Sequence, residues 1–580
     1  MNFYIPNNLN IDELIRTTPH KMLSFNKEKA LFIIDTIIMG GANGRENSAG
    51  YVTVNATVLT DVLGNPYKRY VRYLIEAEVI EQYIGRNGET YLIGIHSQMY
   101  RLRRKYVTQV TPYEVKTFTL ERRIRQYMKD DAVRARIMDA QERTLVDAQT
   151  SQSLTIGAGY SFDKFLETSA TEHKKDIRKK SAKTKKVKVT HKSDVLNLRN
   201  FQWDDKLFKG MYKWLQDGKL SIDKTLVDTY LAVKLAVQHV DESSRDWEWG
   251  KEDSSNPFDQ FNAATILTEQ LANGEAHKGF FDNSIKRYYS FVSLMPKMIR
   301  HALTYEGKNL AVIDISNSQP YMSNLFFKAG FWENEKSTDL KITDLGVIAS
   351  TIFTPSSFAS FIMFLKQASN PLQKRVSFNY FYYKHLTSDG AFYKYLNREI
   401  GRMNGSQQLY RELKHVKRLL YILFFSKRGG HNNGVHDVSF KDGFKSLFPT
   451  VFEVFSMIKK GNRHNLAHLY FLVETYVVYH RIVLRIQKEF PKMPFWTIHD
   501  GIATTVDNVE HVKLIMEEEL TKAIGVKPHL KIELWEIKTI ENEITRFQSI
   551  INDKGLSAKI KEAVANGELI ESKGYLPQDR

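Results

Sequence analysis

Two short runs of β-branched and aromatic residues, Phe495 to Ile498 and Gly501 to Val506, are separated by His499 and Asp500 (FWTIHDGIATTV). Such a spacing folds as a hairpin with the acidic dipeptide at its tip, where nothing buries the Asp500 carboxylate. A second carboxylate lies far upstream. Asp314, in NLAVIDISNSQ (309–319), ends a run of apolar strand formers and is followed by polar residues and Pro320, the pattern of a buried strand that delivers its last side chain to a site. Two strand-borne aspartates with divalent metal suffice for in-line phosphoryl transfer, where two ions roughly 4 Å apart activate the attacking oxygen and steady the leaving one.

Between these strands lies the segment RELKHVKRLLYILFFS (411–426). Arg411, Lys414, Lys417, Tyr421 and Phe425 follow one another at steps of three or four, so one helix would carry them all on one face, cationic at one end and aromatic at the other. A polyphosphate with a base attached suits such a stripe, because cations meet phosphates and rings stack under base or sugar. Each piece alone also has an ordinary role. A His-Asp pair serves in turns, lysines snorkel from amphipathic helices, and an aspartate before Ser-Asn-Ser caps the next helix. The order of the three, with their flanks, favours phosphoryl transfer.

Strand with Asp, helix with Lys and aromatics, then a His-Asp hairpin: this order resembles the palm and fingers motifs of the family A DNA polymerases and of the single-subunit RNA polymerases of phages and mitochondria. The resemblance implies an α+β right-hand polymerase fold. It implies Asp314 and Asp500 as the ligands of two Mg²⁺ ions, with Mn²⁺ as a substitute. Lys417 resembles the lysine that contacts the incoming triphosphate and protonates departing pyrophosphate, with Arg411, Lys414, Tyr421, Phe425, Gln319 and His499 as further nucleotide-binding positions. Phe425 stands where these families usually have Tyr, Ser426 where they have Gly, Leu413 where they have Arg, and Gly501 where the DNA enzymes have Glu. The segment IKRYYSFVSLMPKMIR (285–300) is similar to the one that touches template and primer, which assigns Arg287 and Arg300 to nucleic acid. Helical periodicity from Leu466 to Glu489 and from His511 to Ile524, then a strand-like His529 to Trp535, flank the hairpin as in those palms.

Lys and Arg exceed Asp and Glu by 17 in 580 residues, which points to a polyanionic partner. With no cysteine, disulfides, zinc ribbons and thiolate catalysis are excluded. The amino terminus lacks a signal segment and no run of about twenty apolar residues could cross a bilayer, so no membrane partner and a cytoplasmic location, in a bacterial or phage-infected cell, are expected. Residues 1–104 read as a separate module of three helices (Leu31 to Met39, Ala56 to Gly64, Pro66 to Ala77) and a hairpin (Val79 to Ile84, Thr90 to Leu102) turned at Asn87-Gly88. That outline resembles a winged helix, whose Lys68, Arg69, Arg72, Arg101, Arg103 and Arg104 would face nucleic acid. A small α+β domain with a solvated basic face is the alternative.

The remaining expected divisions are a charged helical segment and basic linker (105–195), a thumb-like helical region with helices over Phe201 to Asp241 and Phe258 to Asn273 (196–308), motif A of the palm (309–321), fingers (322–445), palm with motif C (446–545) and a polar tail (546–580), helical from Ala558 to Ala565. No strand ending in Asp-x-Glu precedes the palm, so no proofreading is expected, and no Gly-Lys-Ser or Gly-Lys-Thr loop suggests a helicase. Five residues past Asp314, where the DNA enzymes have Glu and the RNA enzymes Gly, stands Gln319. Its length crowds a 2′-hydroxyl. Together with Phe425 this leans to DNA synthesis on template and primer from nucleoside triphosphates, in a phage or mobile-element lineage, with replication or transcription proteins as partners. Two alternatives stay open: a single-subunit RNA polymerase or primase, and a non-catalytic replication or regulatory DNA-binding protein.

Overall fold

The computed structural model describes residues 1–42 (except 19, 21 and 23), 50–84, 98–129, 205–245, 257–282 (except 277 and 278), 287–425 (except 337 and 371–373) and 435–572 (except 463). Within them helices and antiparallel strands mix in an α+β arrangement. The basic stretch 174–192, the Asn87-Gly88 turn and Ser426 lie outside the described residues.

The amino-terminal module begins with β1 (Asn2–Pro6), which pairs with β5 (Val110–Glu114) and ties the start of the chain to the end of the unit. Between them run α1 (Lys27–Ala42), β2 (Val52–Thr53), α2 (Ala56–Leu63), α3 (Tyr67–Glu76), β3 (Ile80–Gln82) and β4 (Met99–Leu102), with α4 (Phe118–Lys129) after β5. The three short strands stand in the order β2-β4-β3, all antiparallel. Helix α3 shows why the chain folds this way. Tyr67, Tyr70, Val71, Tyr73 and Leu74 fall on one buried face, while Lys68, Arg69 and Arg72 are left exposed on the other.

Next come α5 (Asp205–Gln216), β6 (Leu220–Ile222), α6 (Lys224–Val240), α7 (Pro257–Ala272) and the hairpin β7 (Phe280–Asp282) with β8 (Arg287–Tyr289). The single helix expected across 201–241 is therefore broken. Gly218, at φ +71°, turns the chain, β6 pairs with β9 (Leu303–Tyr305), and Asp223 caps the new helix α6 by accepting from Leu226 N at 3.0 Å. The module docks on α7 through Asn262, which accepts from Val110 N (3.0 Å) and donates to Thr108 O (2.8 Å).

The site is carried by the large sheet. Its strands β10 (Lys308–Ile315), β11 (Phe495–Ile498), β12 (Gly501–Thr505) and β13 (Leu530–Trp535) join β9 and β6 in the order β11-β12-β10-β9-β6, with β13 on β10. Period-2 alternation in β10 feeds two cores. Ala311, Ile313 and Ile315 point into a cluster built by the helices between β10 and β11: α8 (Ser318–Met322), α9 (Pro355–Ala368), α10 (Lys374–Ser388), α11 (Phe392–Met403), α12 (Leu413–Phe425), α13 (Val435–Leu447), α14 (Pro449–Ile458) and α15 (Asn465–Thr475). Helix α15 runs on through a π-helical stretch, Tyr476–Val483, to Glu489, so the apolar periodicity from Leu466 to Glu489 is one continuous rod with a widened middle. Leu310, with Val312 partly buried beside it, points into the second core, with Ala503, Trp496 and Trp535. Asp314 shares this second face at the end of the strand, where the apolar cover stops.

After β12 follow α16 (Val509–Ile524), β13, α17 (Ile537–Asp553) and α18 (Ser557–Ala565). The helix expected from Ala558 to Ala565 is present as α18, but the segment from 546 onward is not merely polar. Phe547, Ile551, Leu556, Ile560, Ala563 and Leu569 are buried against the second core, because α17 and α18 present apolar residues at helical spacing to α6. Among the described residues no helix is long and apolar enough to cross a membrane. Phe547→Ala, at a position only 4% exposed, is expected to cost about 3–5 kcal/mol, read as a lower urea midpoint of the full chain. A loss below about 1 kcal/mol would show α17 detached from the core.

Candidate active site

Ladder geometry brings the two aspartates together. Strand β12 pairs with β10 from Leu310↔Thr505 to Ile313↔Ile502, so the next step of the register sets Asp314 against Gly501, the residue after Asp500. A Cβ added to Gly501 would stand 3.0 Å from Ile313 O, 3.2 Å from Val312 Cγ2 and 3.3 Å from Asp314 Oδ1. The absence of a side chain at 501 is thus what lets the hairpin tip close on the end of β10. The tip is the two-residue connection His499-Asp500 between Ile498 and Gly501. His499 takes φ +55°, uncommon for a non-glycine residue and strained.

Electrostatics follow from that closeness. Asp314 reaches the water of the crevice but is crowded by protein, and its pKa is pushed up to about 8, first by loss of hydration and then by the like charge of Asp500. The Lys417 ammonium acts in the opposite direction. Lys417 is exposed on α12, with Nζ 5.8 Å from the centre of the Tyr421 ring. Burial keeps the His499 imidazole well below its ordinary pKa, helped by Arg287, Arg300 and Lys417, so it is neutral; Tyr289 meets it edge-on at 5.8 Å.

Not every expected residue joins this cluster. Helix α12 begins at Leu413, so Arg411 stands before it, in a turn that Asn397 holds by accepting from Tyr410 N (2.8 Å) and donating to Tyr410 O (2.9 Å). Arg411 is therefore off the helical face shared by Lys414, Lys417 and Tyr421. Lys414 is exposed and paired with Glu412 at 2.6 Å. Phe425 is the last residue of α12, and its side chain lies outside the described residues. Gln319 is buried in α8, 6% exposed, and its Oε1 has no hydrogen-bond partner.

Arg287 and Arg300, assigned to nucleic acid by the resemblance, are both turned to internal partners. The Arg287 guanidinium is buried in an ion pair with Glu474, with Nε 2.9 Å from Oε1. That of Arg300 donates to Met295 O (2.9 Å) and Ser293 O (3.1 Å). Both fans of donors are turned to internal acceptors, since a buried guanidinium left unpaired is prohibitive. In the amino-terminal module Arg101 and Arg103 both reach Glu81, the latter at 3.0 Å, and Arg101 also lies 4.5 Å over the Tyr51 ring. Arg104 is exposed.

Two participants escape sequence reasoning. Tyr393, on α11, hydrogen-bonds Tyr421 and feels both Lys417 and Asp500, so it lines the crevice. Glu474 is buried behind Asp500 and paired with Arg287. Neither is marked in the sequence: Tyr393 is one aromatic among several in FYKY, and Glu474 sits inside an apolar helix.

Asp314 and Asp500 supply hard oxygen ligands on adjacent backbone segments, and the bare Gly501 leaves room beside Asp314 Oδ1, so the pair fits divalent metal. Among the described residues no group of three or more His, Cys, Asp or Glu gathers as a metal cluster, so remaining ligands would come from substrate and water.

No family model matches the chain. No curated protein matches it either. Among solved structures, the polymerase domain of Pol1 from M. smegmatis, in a complex with a DNA primer-template and dNTP, aligns at 12% identity over 58% of this chain and 70% of that one, with a TM-score of 0.24. So loose a superposition carries no argument, and the functional reading rests on the residues themselves.

The raised pKa of Asp314 has a stability consequence. Its folded value lies above the ordinary 3.8, so the fold disfavours the ionised form and the penalty grows as pH climbs from about 4 to about 8. Asp314→Asn, without added metal, is expected to melt above wild type by a margin that widens between about pH 5 and pH 8, on the order of 1 kcal/mol after screening by crevice water. A margin constant with pH would remove the like-charge coupling.

Proposed function

We propose that the chain is a template-directed nucleotidyltransferase of DNA-polymerase type, with the β10–β13 sheet as palm and helices α9 to α13 as fingers. The observation that supports this most is the convergence of Asp314, Asp500 and Lys417: two carboxylates on adjacent strands, faced by a cation and a tyrosine on one helix from a different part of the fold. When bound at the aspartates, Mg²⁺ would supply Lewis-acid stabilisation of the transferring phosphoryl group and lower the pKa of the attacking hydroxyl. Lys417 is close enough to act on both Asp314 and His499, and its ammonium would grip the triphosphate and hold a proton at Nζ for pyrophosphate. Tyr421 and Tyr393, linked by their hydroxyls, form a wall on which sugar and base would rest. Neutral His499 would present no charge to the duplex.

In this reading the amino-terminal module is a winged helix. Helices α1, α2 and α3 and the β2-β4-β3 sheet follow that plan, and α3 turns Lys68, Arg69 and Arg72 outward as a recognition helix would. Deoxynucleotide use is the reading taken from Gln319, whose side chain lies buried in the helix that follows β10 and would limit the space beside a sugar by its bulk.

Primer extension separates these parts. Asp500→Asn is expected to abolish nucleotide addition while leaving DNA binding nearly intact, and Lys417→Ala to lower the maximal rate as well as raise the nucleotide KM. Wild-type extension by Asp500→Asn would remove the two-metal reading. Gln319→Gly is expected to raise rNTP use relative to dNTP use, on the order of tenfold to a hundredfold for a contact of this kind. A wild-type protein that already prefers rNTPs would shift the reading to an RNA polymerase.

A further inference from the structure

Strand β13 pairs with β10 from Leu310↔Trp535 to Ile315↔Leu530, and among the described residues no strand lies on its other side. The register fixes which backbone groups that bare edge presents. Ser316 N donates to His529 O at 3.0 Å, so residues 316 and 529 form a hydrogen-bonded pair. Such pairs alternate along an antiparallel ladder. Lys531, Glu533 and Trp535 therefore turn their N–H and C=O groups toward β10, while Leu530, Ile532 and Leu534 turn theirs away from it. Among the described residues nothing hydrogen-bonds these outward groups.

The side chains of the edge add to this. Ile532 is 37% and Leu534 47% exposed, on the face they share with their cross-strand neighbours Ile313 and Ala311. Lys531 and Glu533 lie on the other face, that of Asp314 and Val312. Free backbone groups flanked by exposed apolar side chains are a template for a further strand. The order Leu530-Lys531-Ile532-Glu533-Leu534 is complementary to itself when run antiparallel about Ile532. Ile532 then opposes its own copy, Leu530 opposes Leu534, and Lys531 opposes Glu533. Outward groups meet outward groups in this register. Moving the axis by one residue keeps the backbone match but sets lysine on lysine or glutamate on glutamate, which repel.

We propose that the outer edge of β13 binds a second copy of this chain, the two strands pairing antiparallel about Ile532 so that one sheet continues across a two-fold axis. Such a contact is isologous and closes at the dimer. Backbone bonds and the apolar row Leu530, Ile532 and Leu534 supply most of its affinity. The ion pairs chiefly select the register, because Glu533 is already held by Lys297 at 2.8 Å and lies 3.6 Å from His301, and exposed pairs add little. A six-residue edge is small beside the roughly 800 Å² per partner of a stable interface, so the dimer is reversible and in the micromolar range. Nothing in this rests on the polymerase reading.

Sedimentation velocity of the full chain, from low to high micromolar concentration and without nucleic acid, tests it. Wild type is expected to pass from monomer to dimer. Lys531→Glu and Glu533→Lys each set like charges across the axis and should weaken self-association roughly tenfold. An equimolar mixture of the two variants, in which opposite charges meet again, should recover it. Ile532→Pro removes the central outward N–H at an edge position where proline is tolerated, and should abolish the dimer while thermal melting shows the fold retained. A wild type that stays monomeric throughout, or a dimer that survives Lys531→Glu and Ile532→Pro unchanged, would overturn the proposal.

Discussion

Two carboxyl groups held together at the tips of adjacent strands are the constraint around which this structure is arranged. Asp314 and Asp500 would repel if both were ionised, and the surrounding protein removes part of the water that would screen them, so ionising Asp314 beside Asp500 is costly without a cation. The arrangement persists because the backbone beneath is fixed by a continuous antiparallel ladder through β11, β12, β10 and β13. The ladder is in turn clamped on both faces by apolar cores. Carboxylates forced together on a rigid sheet are a store of electrostatic free energy that a polyvalent cation or a basic side chain can release. Lys417 already acts in that sense.

Behind the hairpin, a second device holds the geometry without contributing to the crevice surface. The Arg287–Glu474 ion pair joins β8 to the last turn of α15, and Ser290 Oγ donates to Thr497 O at 2.8 Å, which ties the same segment to β11. Tyr479, in the π-helical stretch, donates to Tyr288 O at 3.1 Å. A buried ion pair adds little net stability over a well-packed apolar pair, but losing one partner strands a charge at a cost of about 3–5 kcal/mol. Its effect is therefore on uniqueness: β8, α15 and the His499 turn have one relative placement in which both charges are satisfied.

The molecule also separates its cations by role. On α3 the basic residues are free of any core duty and face outward, whereas Arg287 and Arg300 are consumed by internal acceptors and Arg101 and Arg103 are shared with Glu81. A net charge of +17 thus overstates what is available to a polyanion at any one surface. Exposure, and not residue type, decides which lysines and arginines contribute to a field outside the protein.

By itself the sequence determined the local elements. Alternation fixed β10 with Asp314 near its end, the β-prone runs around His499-Asp500 fixed the hairpin, and apolar periodicity fixed α12, the long rod ending at Glu489 and helices α1, α2 and α3 of the amino-terminal module, though not the short helix Ile11–Thr17. These depend on neighbours a few residues away, so period and turn chemistry suffice to reveal them. Only the tertiary structure decided which side chains meet. The start of α12 at Leu413, which separates Arg411 from Lys417, depends on Asn397 of another helix. The entry of Tyr393 into the crevice, the burial of Arg287 against Glu474 and the packing of α17 and α18 into the second core each join residues distant in the chain. Such contacts are set by how two cores close on one sheet, and no periodicity within a segment encodes which of its polar residues will find a partner on another.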